Sequence, residues 1–252
     1  MTKQLDSYYH LSTEFYDLEK PQATAEELAW YMNYARQAQG PILEPMCGTG
    51  RYIIPMLESG FDIEGLDASL HMLRALQEKC AQKNLTPNVH HCFLQDFKSE
   101  KRYAFIFIPS GSFGLITSKE EVKQCLHMIH AHLMPGGKFV FEIDTPQAIT
   151  ASLNTWNKSI YTKDDGTLII GHQRPSYNAK NQIVTITCHY EHKDNRMLIA
   201  SESEIVRLKL YKRFEIDPLL KEIGFSFITY KAHHKIVAHE FDSTLVYECT
   251  PI

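Results

Sequence analysis

Two hydrophobic periods alternate along the first half of the chain. Leu28, Tyr31, Met32 and Ala35 recur at helical spacing behind a Thr24/Glu27 capping-box pattern, and Gly40-Pro41 stops the run. Ile42 and Leu43 then make a short apolar strand. Residues 51–59 read as a helix closed by Gly60, and 62–66 as the next strand. Ser69 opens a helix with Met72, Leu73, Leu76 and Cys80 on one face. Residues 89–94 and 104–108 are strands, the latter apolar throughout, as strands covered on both faces are. A second capping-box pattern, Ser118/Glu121, starts a helix that buries Val122, Cys125, Leu126, Ile129 and Leu133 and stops at Pro135-Gly136-Gly137; residues 138–143 form a fifth strand. Five strands alternating with helices predict an α/β fold, a parallel sheet with helices on both faces and its ligand over the carboxyl ends of the strands.

After Thr145 the period changes to two. Val184, Ile186, Cys188 and Tyr190 alternate with Thr185, Thr187 and His189; Val206, Leu208 and Leu210 alternate with Arg207, Lys209 and Tyr211. The segment 193–196, KDNR, is the expected hairpin turn. This is the pattern of an antiparallel insertion with one packed and one polar face. The parallel pattern is then expected to resume, with a helix at 214–223 closed by Gly224 and two strands at 225–230 and 244–249. The expected organisation is a core of residues 1–150 and 212–252 and an insertion of residues 151–211, acting as a substrate lid or a dimer contact.

Composition narrows the classes of function. The 252 residues carry a formal net charge of −4 and no Lys/Arg block, which argues against nucleic acid or an anionic membrane as partner. The N-terminus has no apolar leader segment, no run is long enough to span a bilayer, and a cytoplasmic location is expected. Six scattered cysteines without a CxxC pair read as reduced thiols, with no zinc site and no other metal expected.

The chemistry centres on PILEPMCGTGRYI, residues 41–53, a glycine turn between a strand and a helix. A dinucleotide and a sulfonium nucleoside both suit such a turn. The dinucleotide fingerprint G-x-G-x-x-G is incomplete, because Ile53 stands where the third glycine belongs. Glu44 before the turn would repel a pyrophosphate but suits a cationic amino group. Asp67 ends the second strand, where two carboxylate oxygens can accept both ribose hydroxyls. Gln95-Asp96-Phe97 ends the third, where an acid can accept the adenine amine beside an aromatic ring, and Pro109-Ser110-Gly111-Ser112 is a small-residue loop after the fourth. One acid after each of three strands matches an amino group, a ribose and an adenine.

The stretches ILEPMCGTGR, GLDAS..ML, QDF and LMPGGKFVFEI resemble the motifs of the class I S-adenosylmethionine-dependent methyltransferases, over about residues 8–145 and the end of the chain. YYHLSTEFYDLE and the β-rich insertion followed by LYKRFEIDPLLKEIGF resemble the sugar and glycine-type N-methyltransferases. The resemblance implies a Rossmann-like, seven-stranded, mostly parallel sheet, S-adenosyl-L-methionine as cofactor, S-adenosyl-L-homocysteine as product and a small-molecule acceptor. It implies Gly48, Thr49 and Gly50 at the methionine part, Glu44 at its amino group, Asp67 at the ribose, Gln95 and Asp96 at the adenine, and Ala68, Met72 and Phe97 packed on the adenosine. Tyr16 would close over the cofactor, with Pro109 and Ser110 beside the reaction site. The chain departs from the family at Pro45-Met46 and at Pro109, which has no amide proton.

Methyl transfer needs no enzymic nucleophile, so the catalytic set is open. His172, Arg174, His189 and Tyr190 in the insertion are candidates for the acceptor pocket, against the alternative of ordinary sheet surface or core. His127, His130 and His132 lie off the apolar stripe of their helix and are expected on a solvated face. His90 and His91 point to opposite faces, and His233-His234 carry no readable role. Tyr8 and Tyr9 suit either a lid or a docked N-terminal arm. The reading that results is transfer of a methyl group to a small molecule, at nitrogen. A non-catalytic binder of the same cofactor, a nicotinamide oxidoreductase and an RNA methyltransferase are the alternatives, and a homodimer is open.

Overall fold

The computed structural model describes residues 5, 7–149, 152–232, 236–239 and 241–252. Helices α1 (His10–Glu19) and α2 (Ala25–Gln37) precede β1 (Ile42–Pro45). The chain continues through α3 (Ile53–Glu58), β2 (Ile63–Asp67), α4 (Leu70–Gln82), β3 (Asn88–His91), β4 (Tyr103–Ile108), α5 (Lys119–His132) and β5 (Leu133–Asp144). Four strands follow, β6 (Asn157–Thr162), β7 (Leu168–Asn178), β8 (Ile183–Asp194) and β9 (Met197–Lys209). The chain ends with α6 (Asp217–Ile223), β10 (Phe225–Lys231) and β11 (Thr244–Pro251).

Local chemistry starts the helices. Thr24 and Glu27 form the reciprocal capping box on α2, and the hydroxyls of Ser69 and Ser118 accept the amides of Met72 and Glu121. The seven-stranded sheet runs β10-β11-β5-β4-β1-β2-β3. Its order reverses at β1, which pairs in parallel with both β2 and β4. The expected return to parallel pairing fails at β11, which lies antiparallel to β5 and to β10. No helix occurs among the described residues between β10 and β11, and a parallel neighbour needs a crossover that this connection lacks.

Strand β4 shows why its sequence is apolar throughout. Phe105 and Phe107 face the cluster built by α2, α3 and α4, while Ile106 and Ile108 face the cluster built by α5 and α6. Burial on both faces leaves no position for a polar residue.

The insertion is a separate antiparallel sheet in the order β6-β7-β8-β9, with Asn195 in the left-handed region at the hairpin turn. Its apolar face covers α1: Ile169, Cys188, Tyr190 and Val206 pack on Leu11 and Phe15. Gly171 makes room for this contact, because a Cβ there would stand 2.3 Å from the Phe15 ring.

Two acids of β9 finish the docking. Glu202 accepts the amides of His10, Leu11 and Ser12 at 3.1, 3.2 and 3.0 Å, and Glu204 accepts the amide of Tyr8 at 2.6 Å. Helix α1 has no side-chain cap of its own, so its free N–H groups and its positive end are met from 190 residues away. Glu202→Ala is expected to cost about 1–2 kcal/mol, the upper range for a lost cap, read as a lower thermal midpoint. An unchanged midpoint would mean that α1 docks through its apolar face alone.

Candidate functional site

A cavity of about 610 Å³ opens at the carboxyl ends of β1, β2, β4 and β5, at the switch point of the sheet. Its size is ordinary for a small-molecule site. A second cavity of about 420 Å³ lies at the opposite ends of the strands, beside Gln37 and Gly136, away from the glycine turn.

The glycine turn forms one wall. Met46, Gly48 and Gly50 all have positive φ, at 60°, 53° and 94°. The two glycines do different jobs. A Cβ on Gly48 would meet only Met72 Sδ, at 4.0 Å, so this backbone is open to the cavity. A Cβ on Gly50 would lie 2.8 Å from Ile54 and 3.0 Å from Leu76, so Gly50 sets the contact of the turn with α3 and α4. Thr49 is buried and its hydroxyl donates to Asp17 of α1, which also pairs with Lys79 at 2.9 Å. The turn is thereby tied to the helix above it.

Asp67 holds the turn from below. Its Oδ2 accepts the Gly48 amide at 2.9 Å and its Oδ1 the Ser69 amide at 2.8 Å. Burial pushes its carboxyl above the usual range, and those two amides hold it partly down. Each oxygen keeps a lone pair for a further donor, and the residue lines the cavity. Glu44 is fully buried behind the turn and is not among the lining residues. Its Oε2 has no hydrogen-bond partner, and burial pushes its carboxyl well up.

Of the other positions expected at the cofactor, Tyr16, Ala68, Met72, Gln95 and Ser110 line the cavity. Asp96, Phe97 and Pro109 do not. Strand β3 stops at His91, and the chain winds through a short 3-10 turn at Leu94–Asp96. That turn leaves Phe93, Leu94 and Gln95 on the cavity and exposes Asp96. Phe97 packs instead against His90, Tyr103 and His132. Pro109 is buried and its carbonyl accepts the Ser112 amide. Ser110 and Gly111 both have positive φ, and the Ser110 hydroxyl meets the Tyr52 phenol at 2.8 Å.

The four insertion candidates lie elsewhere. His172, His189 and Arg174 stand on the polar face of the inserted sheet, where His189 meets Ser203, His172 lies 3.6 Å from Glu191 and Arg174 covers Trp156. Tyr190 is buried under α1, with its ring 5.1 Å from Phe15. None of the four is among the described lining residues; the insertion reaches the cavity through Ile205, Arg207 and Leu208 of its edge strand β9. His127 is exposed, but His130 and His132 pack their rings on Phe225 and Phe97, so these two are not on a solvated face. His90 bonds Glu64 and His91 the Ala68 carbonyl. His233 and His234 lie outside the described residues. Among the described residues no His/Cys/Asp/Glu group is arranged to hold a metal ion, and no helix is long and apolar enough to cross a membrane. Tyr8 lines the cavity, and its carbonyl accepts the Ser69 hydroxyl at 2.6 Å.

Arg51 and Asp144 are among the lining residues that the sequence reading did not place at the site. Arg51, in the glycine motif, donates to the Tyr16 phenol at 3.3 Å. Asp144 ends β5, and the strand-end rule that pointed to Asp67 would have found it.

Strand order, glycine turn, strand-end acid and cleft give the core a Rossmann-like α/β architecture with its cavity at the carboxyl ends of the strands. Residues 42–137 match the family model described as a methyltransferase domain. The chain is 26% identical over 118 residues to the dTDP-3-amino-3,6-dideoxy-alpha-D-glucopyranose N,N-dimethyltransferase of Streptomyces fradiae, covering 47% of this chain and 45% of that protein. The matched stretch thus spans about half the length of such curated relatives. The fold is similar to that of an S-adenosylmethionine-dependent methyltransferase from Clostridium acetobutylicum, with a TM-score of 0.78 at 16% identity over 94% of this chain and 96% of that one. It is also similar to a sugar N-methyltransferase from Streptoalloteichus sp., with a TM-score of 0.76 at 17% identity over 98% and 96% of the two chains.

Proposed function

We propose that this protein transfers the methyl group of S-adenosyl-L-methionine to a nitrogen of a small molecule. The observation that carries the reading is one cleft bounded by an open glycine turn, a half-buried strand-end acid and an apolar shelf. The Gly48 backbone suits the methionine part, and the partnerless Glu44 Oε2 behind the turn is an acceptor for its amino group, directly or through water. The Arg51 guanidinium suits the carboxylate, and Asp67 the ribose hydroxyls. Ala68, Met72, Phe93 and Leu94 offer the adenine an apolar bed, with Gln95 for its polar edge.

The cofactor supplies a carbon already activated by sulfonium. The chain has two tasks left, to hold a neutral nitrogen in line and to exclude water. Helix α1, clamped between the insertion and the glycine turn, covers the cleft with Tyr16, and Tyr8 just ahead of the helix lines it too. Nitrogen as the target and a small acceptor are supported by the amino-sugar N,N-dimethyltransferase to which the chain is similar.

Calorimetric titration with S-adenosylhomocysteine, with NADH as control, tests the cofactor. The expected result is micromolar binding of the first and none of the second. No heat from a folded sample, or a response to NADH, would overturn the reading. Labelled methyl transfer across a panel of amines then tests activity, and binding without transfer to any of them would favour a non-catalytic binder.

A further inference from the structure

We infer that Asp144 is the carboxylate that receives the N–H of the methyl acceptor, which makes that acceptor an amine. The inference rests on the methyltransferase reading and names the substrate class of the same cleft. Three acids are among the described lining residues: Asp67, Glu121 and Asp144. Asp67 is engaged with the glycine turn, and Glu121 sits in the first turn of α5. Asp144 stands at the end of β5, two places across the sheet from β1, against the small-residue turn that follows β4.

Its two oxygens are differently placed. Oδ1 accepts the Thr244 hydroxyl at 2.7 Å, which fixes the side chain. Oδ2 lies over Gly111, where a Cβ would come within 2.9 Å of it, and it accepts no hydrogen bond from a described residue. Gly111, with φ of 68°, therefore serves two needs: it turns the chain and leaves room for the carboxylate. The loop residues Ser110, Gly111 and Ser112 line the cavity with it.

The electrostatics point the same way. Burial pushes the Asp144 carboxyl up, Glu142 adds repulsion, and Thr244 and Lys20 offset part of this. A half-buried carboxylate with a free oxygen in a ligand cavity suits a neutral N–H donor on which positive charge develops as the methyl group arrives. An amine is such a donor. A carboxylate or a phenolate acceptor would be repelled at the same place.

Sinefungin tests this without knowledge of the acceptor. It matches S-adenosylhomocysteine except that a carbon bearing an amine replaces the sulfur, so its amine projects where the transferable methyl would. Calorimetry on the full chain should show sinefungin binding about tenfold more tightly than S-adenosylhomocysteine, as for a charge-assisted hydrogen bond. In Asp144→Asn, which keeps an acceptor for Thr244, that preference should vanish while S-adenosylhomocysteine affinity stays within about twofold. Asp144→Ser gives the same readout should the amide variant not fold. No preference in the wild type, or a preference that survives both substitutions, overturns the role of Asp144 and leaves the cofactor assignment standing. Failure of S-adenosylhomocysteine to bind the wild type overturns the methyltransferase reading, and this inference with it.

Discussion

Asp67→Ala should weaken S-adenosylhomocysteine binding at least tenfold, and this is the larger of the two effects expected on affinity. The substitution acts twice. It deletes the acceptor proposed for the ribose hydroxyls, and it frees the Gly48 amide that shapes the turn under the methionine part. Hydrogen bonds to a charged group are each worth about 1.5–3 kcal/mol, so loss of one to the ligand predicts about a tenfold to hundredfold change. Stability should fall as well, because the Ser69 amide loses the same partner at the start of α4. Asp67→Asn separates the contributions. It keeps acceptor capacity but removes the charge, and should bind between the wild type and the alanine variant. Wild-type affinity in Asp67→Ala, measured by calorimetry on folded protein, would place the nucleoside elsewhere and remove the basis of the cleft assignment.

Gly50→Ala should give the largest loss of stability. At φ of 94° an L-residue is strained, at about 1–3 kcal/mol. The new methyl group would also stand 2.8 Å from two atoms of Ile54, inside a packed contact between the turn and α3. Overpacking of this kind costs about a further 1–3 kcal/mol. Together these approach the whole stability of a marginal domain, so a thermal midpoint lower by about 10 °C, or insoluble expression, is expected. Gly48→Ala is the matched control. It also has positive φ, but its Cβ meets nothing nearer than 4.0 Å, so it should melt closer to wild type and show its defect in ligand affinity. Equal loss of stability in the two variants would contradict the division of labour between the glycines.

The insertion illustrates how far pattern alone reached. Its two-residue period separated the faces of β8 and β9 correctly: Cys188, Tyr190 and Val206 are buried and His189 stands on the other face. What the period could not say is which face meets the cleft. The apolar face is spent on α1, and the polar face meets the cavity through Ile205 and Arg207 of β9, while His172, Arg174 and His189 on the same face are not among the described lining residues. The edge strand supplies the contact instead. Similarly, of the two residues expected at the adenine, the 3-10 turn after β3 keeps Gln95 on the cavity and turns Asp96 out to solvent, because it rotates successive side chains by less than a strand does.

The sequence by itself determined the features that depend on neighbours along the chain. The caps at Thr24, Ser69 and Ser118, the helix and strand periods and the glycine turn after an apolar strand are written in short windows, since a cap or a turn is satisfied within a few residues. The acid of β2 is legible for the same reason: it ends the strand that follows the turn. Tertiary structure alone decided what lies across space. It reversed β11 against β5, set Glu202 and Glu204 at the N-terminus of a helix 190 residues away, and brought Asp144 against Gly111 in the cleft that Gly48 and Asp67 share. Such contacts are chosen by packing and by the satisfaction of buried polar groups, and neither leaves a period in the chain.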